Sequence, residues 1–419
     1  MHSSSSINRR SRRQFLLGCA SSAAATAMTL AAHGSLRAAD APGGVRITRI
    51  VGFDLHSKRN KVAGKNARLD VHGDSAVDPM VRVYTNADGV EGLGVCRASK
   101  EKLAELLGQD PITFLDSEAH RLRGPLGSQT MALWDLVARM RDKPVCELLG
   151  APPATAPRKV PVYDGSIYFA DLLPQYADAW EDRFKREIDM GLELGHRAFK
   201  IKIGRGAKWM PRGEGDARDV AVVRLIREHA GKDVLLGVDA NNGYDLEGAK
   251  RFVEQVADAN LAFTEEMFPE VVEQCLALKA FFRERKLDTL LADGETQGEL
   301  DVFKPFIAAK AIDVLQADMN RFGVEGILAE AAMGRPQGIT VAPHNWGSLL
   351  GFYQQLQVGA AIDNFYRAER DPLSSAVLVA DGFTIKDGHA TLPPTSGFGL
   401  RIDEARFAAE AKVKFDLKA

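Results

Sequence analysis

Cysteine is scarce in this chain, aromatics make up only 7% of it, and neither sign of charge dominates. Four cysteines in 419 residues are too few for a disulfide framework. Cys96, Cys146 and Cys275 show no CxxC spacing of the kind that marks a zinc or redox motif, so they read as buried thiols. The fourth, Cys19, falls in the leader described below. Lys and Arg number 54 against 56 Asp and Glu, a net charge of -2, which leaves no overall basic field to draw nucleic acid or an anionic membrane. No stable membrane anchor is expected, because the uncharged stretch from Phe15 to Ala32 is diluted by Gly, Ser, Thr and Ala and is barely long enough to span. What is present, 45% hydrophobic and 26% charged residues, is the composition of a folded globular protein with a substantial core.

Residues 1–41 are an address. Five arginines (Arg9, Arg10, Arg12, Arg13, Arg37) stand against one acid, Asp40. Ser11-Arg12-Arg13-Gln14-Phe15-Leu16, followed by the uncharged stretch and the small-residue site Ala39-Asp40-Ala41, resembles the twin-arginine export signal. That resemblance implies a periplasmic or otherwise exported protein, a twin-arginine translocase as its partner during export, and passage in the folded state, so that a metal is loaded before release.

Two regimes follow the leader. Residues 42–155 read as a compact α+β unit. Val45 to His56 is strand-like, Met80 to Cys96 is a hairpin turning at Asn86-Ala87-Asp88-Gly89, and Met131 through Leu149 is an amphipathic helix stopped by Gly150 and Pro152. From Val160 onward short strand-like runs recur every 25 to 35 residues with helical stretches between them. Eight can be counted: Val160–Tyr163, Ala198–Gly204, Val234–Asp239, Leu261–Glu265, Thr289–Ala292, Ile312–Leu315, Ile339–Ala342 and Phe365–Glu369. Eight βα-type units predict an α/β fold with a closed parallel barrel over residues 156–384.

Active sites of such barrels lie at the C-terminal strand ends, which makes polar residues there informative. In the second run, period-two alternation places Lys200 and Lys202 on one face and Phe199, Ile201 and Ile203 on the other, sending the lysines inward. Asp239, Glu265 and Glu295 sit at or just beyond the ends of the next three runs. Three converging carboxylates repel one another unless a cation neutralises them, and oxygen-only ligands select a hard ion, Mg²⁺ first, with Mn²⁺ or Ca²⁺ as alternatives. Asn241, two residues past Asp239, is a candidate substrate-binding residue. Asp318 ends Val314-Leu315-Gln316-Ala317-Asp318, just past the sixth run, and His344 follows the seventh, so neighbouring strands bring carboxylate and imidazole together as an acid–base dyad. Glu369 closes the eighth run.

With these residues the chain resembles the enolase superfamily, and within it the mandelate racemase subgroup, over nearly all of its length after the leader. The resemblance rests on Lys200-x-Lys202, on Asp239, Glu265 and Glu295, on the Asp318–His344 pair and on Glu369, spaced about one βα unit apart. A muconate-cycloisomerase pattern would carry lysine where Asp318 stands, and a glucarate-dehydratase pattern asparagine where Glu295 stands. The resemblance implies a (β/α)7β modified TIM barrel under an N-terminal α+β capping domain, with residues 385–419 returning to the cap, and a homo-oligomer. It also implies Mg²⁺-dependent removal of the proton α to a carboxylate through an enediolate, with Lys202 as base and His344, oriented by Asp318, opposite it. Lys200 is expected to depress the pKa of Lys202. Dehydration of a hydroxylated acid sugar to a 2-keto-3-deoxy acid is the favoured outcome. Racemisation or epimerisation of a 2-hydroxy acid, and sugar-acid binding without catalysis, are the alternatives. Two departures bear on substrate fit: residues Arg205 to Asp219 lengthen the loop after the lysine strand, and Glu265-Glu266-Met267-Phe268-Pro269 replaces the family's commoner Glu-Glu-Pro, which leaves Glu266 as the alternative to Glu265 as ligand. The polar cap stretch Lys58-Arg59-Asn60-Lys61, with Lys65 and His72, falls where the family carries a specificity loop.

Overall fold

The computed structural model describes residues 44–419, so the expected export leader lies outside the described residues. The capping sheet opens with β1 (Ile47–Ala63), β2 (Gly73–Thr85) and β3 (Glu91–Val95), antiparallel throughout, with the hairpin turn between β2 and β3 where the sequence places it. Helix α1 (Met131–Met140) packs on β3 and buries Leu133, Trp134, Leu136 and Val137. The approach is so close that a Cβ on Gly94 would stand 2.4 Å from the Ala132 nitrogen, which leaves glycine as the residue that fits. Buried Asp135 on α1 accepts from the Leu93 and Phe398 amides (2.9 and 2.8 Å) and from Arg139 Nε (2.8 Å), tying sheet, helix and C-terminal segment together. The helix expected to run to Leu149 stops at Met140, and a short turn, Val145–Leu148, restarts after Pro144. Proline explains the break, because it lacks an N–H and excludes helical backbone at the residue before it.

The barrel strands are β4 (Arg158–Ile167), β5 (Ala198–Lys202), β6 (Leu235–Asp239), β7 (Phe263–Glu265), β8 (Leu290–Asp293), β9 (Val314–Leu315), β10 (Thr340–Val341) and β11 (Ala368–Arg370). Each pairs in parallel with the next up to β10, a parallel bridge joins Val341 to Phe365, and β11 pairs back on β4. The helices between them are α2 (Trp180–Glu193), α3 (Arg212–Ala230), α4 (Leu246–Gln255), α5 (Val272–Glu284), α6 (Phe303–Ala309), α7 (Met319–Gly334) and α8 (Leu349–Gly359). This is the expected α/β architecture, a (β/α)7β modified TIM barrel with an N-terminal α+β capping domain.

Three local expectations come out differently. The stretch Lys58–Lys61 is part of strand β1, where alternation exposes Lys58 and Asn60 and buries Arg59 and Lys61. Arg59 forms a fork with Asp371 (2.7 and 2.6 Å) and Lys61 pairs with Glu187 on α2 (2.8 Å), so this edge of the cap is bolted to the barrel. The insertion after β5 is mostly helix: beyond a turn at Arg205–Ala207, α3 begins at Arg212. Its anchor is the fully buried Arg205, held between Asp171 (2.8 Å) and Asp219 (2.5 Å). The segment from residue 385 divides. Ile385–Lys386 and His389–Leu392 form a hairpin that pairs with the start of β4, while Val413–Lys418 pairs with β1 in the cap.

Candidate active site

Lys200 and Lys202 point into the barrel as the alternation predicts, and both are buried. Lys200 Nζ reaches Glu265 Oε1 (2.5 Å), Glu369 Oε1 (2.8 Å) and Asp239 Oδ2 (3.2 Å), and Lys202 Nζ pairs with Asp239. Asp239, Glu265 and Glu295 each offer an oxygen within 4.8 Å of the others. The three carboxylates expected to converge therefore do. Glu266, beside Glu265, accepts from Asn241 Nδ2 (3.0 Å) and groups with Glu270 and Asp293 rather than with the three converging carboxylates. The backbone is bent to achieve this: Asn241, Asn242 and Glu266 all take left-handed φ values of 41°, 60° and 42°. Asn241 donates to Asp239 Oδ1 through its amide (2.9 Å) and to Glu295 Oε1 through its side chain (3.3 Å).

Across the barrel mouth, Asp318 serves two masters. Its Oδ1 caps α7 by accepting from the Arg321 amide (2.8 Å), and its Oδ2 meets His344 Nδ1 at 2.7 Å. The other imidazole nitrogen, Nε2, lies 3.3 Å from Glu295 Oε2. Glu369 completes the ring: its Oε2 accepts from the Asn345 amide (2.9 Å), and a Cβ on Gly165 would fall 2.3 Å from its Oε1, so β4 leaves room for this carboxylate by carrying glycine. All nine residues singled out in the sequence thus lie in one constellation at the C-terminal ends of the strands.

A model of the family described as enolase C-terminal domain-like matches residues 183–406, more than half of the chain. This chain belongs to the enolase superfamily. Among its enolase-superfamily relatives is the arabinonate dehydratase of Saccharolobus solfataricus, 26% identical over 280 residues that make up 66% of this chain and 69% of that protein. Two solved structures of a galacturonate dehydratase from a Geobacillus species are similar throughout. A variant complexed with Mg is 29% identical with a TM-score of 0.82, covering 90% of this chain and 97% of that one. The complex with D-galacturonate and 5-keto-4-deoxy-D-galacturonate is 30% identical with a TM-score of 0.80, covering 88% and 99%.

The charge balance of this enolase-superfamily site bears on a metal. Asp239, Glu265, Glu295, Asp318 and Glu369 face Lys200, Lys202 and His344, so with every group ionised two negative charges remain, the charge of one divalent ion. Glu295 Oε2 is buried with no hydrogen bond in proper geometry, His344 Nε2 at 3.3 Å being its charged neighbour, which leaves the oxygen available to a cation. The donor set is all oxygen and fits a hard ion such as Mg²⁺. Burial, together with the charges of Asp239, Glu295 and Glu369, pushes the Glu265 pKa well up despite Lys200. Burial works against the ionised form of Asp239 too, but Lys202 and Lys200 hold its pKa down. Burial also opposes the imidazolium of His344, yet Glu295, the Asp318 hydrogen bond and Glu369 raise its pKa to about 10. The expectation for Lys202 is corrected: burial and Lys200 do lower its pKa, but Asp239 outweighs them and the net shift is upward.

Sequence reasoning missed several neighbours. Gln316 Nε2 donates to Glu265 Oε2 (2.7 Å), and its position directly after β9, two residues before Asp318, was the available signal. Tyr163 and Tyr168 on and beyond β4 lie 5.7 and 5.3 Å from Lys200 and Lys202 Nζ respectively. Trp346 stacks on Tyr168 (centroids 4.5 Å apart) and donates from Nε1 to His72 Nδ1 (3.1 Å). This fixes His72 of the cap as the Nε2–H tautomer, and burial with the charges of Lys202 and Arg59 holds its pKa at about 4. The cap residues Lys65 and His72 therefore do reach the barrel, Lys65 by packing over Trp209 with Nζ 4.0 Å from the ring centroid.

Proposed function

We propose that this protein, a member of the mandelate racemase subgroup, dehydrates a hydroxylated acid sugar to a 2-keto-3-deoxy acid with Mg²⁺. The observation that carries the reading is the placement of Lys202 on one side of the three-carboxylate group and the Asp318–His344 dyad on the other. The names of the relatives point to the same substrate class. Asp239, Glu265 and Glu295 would hold a divalent cation, which would supply positive charge beside the substrate carboxylate; with Asp239 so engaged, Lys202 would be left as the neutral amine. Lys202 then takes the α-proton. His344, protonated on Nε2 and hydrogen-bonded through Nδ1 to Asp318, gives a proton to the departing β-hydroxyl, so one water leaves and the resulting enol tautomerises to the keto acid. Asp318 holds the ring so that Nε2 carries the proton toward the substrate. Lys200 braces Glu265 and Glu369. Asn241 and the cap residue His72 offer hydrogen bonds to the substrate's hydroxyls.

Export to the periplasm through the twin-arginine translocase and assembly as a homo-oligomer belong to the same proposal, the first carried by Arg12-Arg13 and the uncharged stretch behind them, the second by the family resemblance. The deciding experiment is a screen of acid sugars in Mg²⁺-containing D₂O, reading both 2-keto-3-deoxy product and α-proton exchange. Product with metal-dependent exchange is the expected result. Exchange with inversion and no keto product would make the enzyme an epimerase, and binding without exchange would make it a non-catalytic receptor.

A further inference from the structure

Seven of the eight barrel strands lead into a helix, but β11 leads into the extended segment Leu373–Ser374 and has none. In a right-handed barrel that eighth helix would lie outside β11 and β4, between α8 and α2. The hairpin 385–392 covers only part of this slot, and a cavity of about 150 Å³ remains. Its apolar walls include Leu349, Phe352 and Leu356 of α8, together with Leu373, Phe383 and Ile385. A cavity of roughly this size in an apolar core takes up benzene.

Two charged groups line it, Arg370 and Asp371, beside the polar Tyr353 and Thr384. With Glu369 turned inward, strand alternation turns Arg370 outward into the cavity. Among the described residues Arg370 has no ion pair, and its one hydrogen-bond contact is Nη1 to His196 Nε2 at 3.1 Å. The neighbouring carboxylates are engaged elsewhere. Asp371 is forked on Arg59, and Asp164 accepts from the Ser166 amide and hydroxyl. His196 brings no negative charge. A guanidinium carries five N–H donors in a planar fork that matches a carboxylate, and most of those on Arg370 are unused.

We propose that this slot binds a small carboxylate with an apolar body, of the size of benzoate or a six-carbon fatty acid, at a site separate from the sugar-acid site. The β11 strand is the wall between the two, with Glu369 facing one and Arg370 the other. The apolar walls favour a carboxylate with a hydrocarbon body over inorganic phosphate or a polyhydroxylated acid, which have no apolar surface to bury against Leu349, Phe352 and Leu356.

The test is titration of the Mg²⁺-loaded full-length protein with benzoate by calorimetry. One benzoate binds per chain, and Lys202→Ala binds it equally well. Arg370→Gln and the cavity-filling Ala390→Leu each weaken it at least tenfold, and benzyl alcohol and inorganic phosphate bind at least tenfold more weakly than benzoate. Absence of saturable binding to the parent overturns the proposal. So does loss of binding in Lys202→Ala, which would place benzoate in the catalytic site, and so does undiminished binding by Ala390→Leu. Should Arg370→Gln fail to fold, Ala390→Leu and the benzyl alcohol comparison decide.

Discussion

Replacing Glu330 by glutamine should make the protein more stable, and by an amount that depends on pH. Glu330 lies fully buried on α7, where Oε1 accepts from the Ala317 amide (3.0 Å) and Oε2 has no partner. Burial pushes its pKa from an ordinary 4.5 up to about 8, with the Ala317 hydrogen bond opposing. The folded protein thus holds this carboxyl protonated at neutral pH while the unfolded chain ionises it. A group raised on folding keeps its full contribution below the unfolded pKa and loses it as pH rises toward the folded one. Integrated over that gap, ionisation of the unfolded chain costs the parent about 1 kcal/mol at pH 5 and about 3 kcal/mol at pH 7. Glutamine has nearly the same shape and no proton to lose, so Glu330→Gln should gain those amounts. Urea unfolding of parent and variant at the two pH values, at one Mg²⁺ concentration, measures the difference. An equal gain at both pH values, or no gain at pH 7, would refute the reasoning.

Asp239→Asn and Glu295→Gln should weaken Mg²⁺ binding and turnover together while leaving the far-UV circular dichroism unchanged, because these ligands sit at strand ends outside the core; a metal titration with parallel activity assays checks this. Lys202→Ala should lose α-proton exchange and dehydration together, by about 10²–10⁴-fold. His344→Asn should keep exchange with D₂O and lose keto product, and Asp318→Asn should fall between the two; dehydration at the parent rate in all three variants would remove the site assignment. Replacing Arg12 and Arg13 by lysine should leave the precursor inside the cell, since lysine lacks the guanidinium fork, and fractionation by immunoblot reads the outcome.

Much of the barrel was legible because its signals are local. A βα repeat spaces apolar runs evenly, and polar residues at or just past the end of each run face the mouth, which is why Asp239, Glu265, Asp318 and Glu369 could be named from spacing and Lys200 and Lys202 from alternation. Glu295 and His344 lie just past their strands and were reached by the same count. What the sequence hid depends on distant partners. Nothing near Arg59 or Lys61 announces Asp371 or Glu187, 312 and 126 residues away, so a buried strand was taken for a polar loop. The helical start at Arg212 and the buried Arg205 between two aspartates were hidden in the same way. The upward shift of Lys202 was not legible because two opposing charges, Lys200 and Asp239, both act on it, and only their distances decide the sign. The helix break at Pro144 was in plain view and could have been read.

The pairing of Val413–Lys418 with β1 also sets a timetable. Arg49 meets Asp416 across a separation of 367 residues, and Ile50 lies opposite Leu417. During synthesis the first strand of the cap, paired early with β2 on one edge, must wait for its partner on the other edge until Val413–Lys418 has emerged. The barrel's neighbouring strands, each paired with the next unit along the chain, can assemble as they emerge. The capping sheet is therefore completed only after every barrel strand has been made, and a chain truncated before residue 413 would lack the strand that pairs with Arg49 to Phe53.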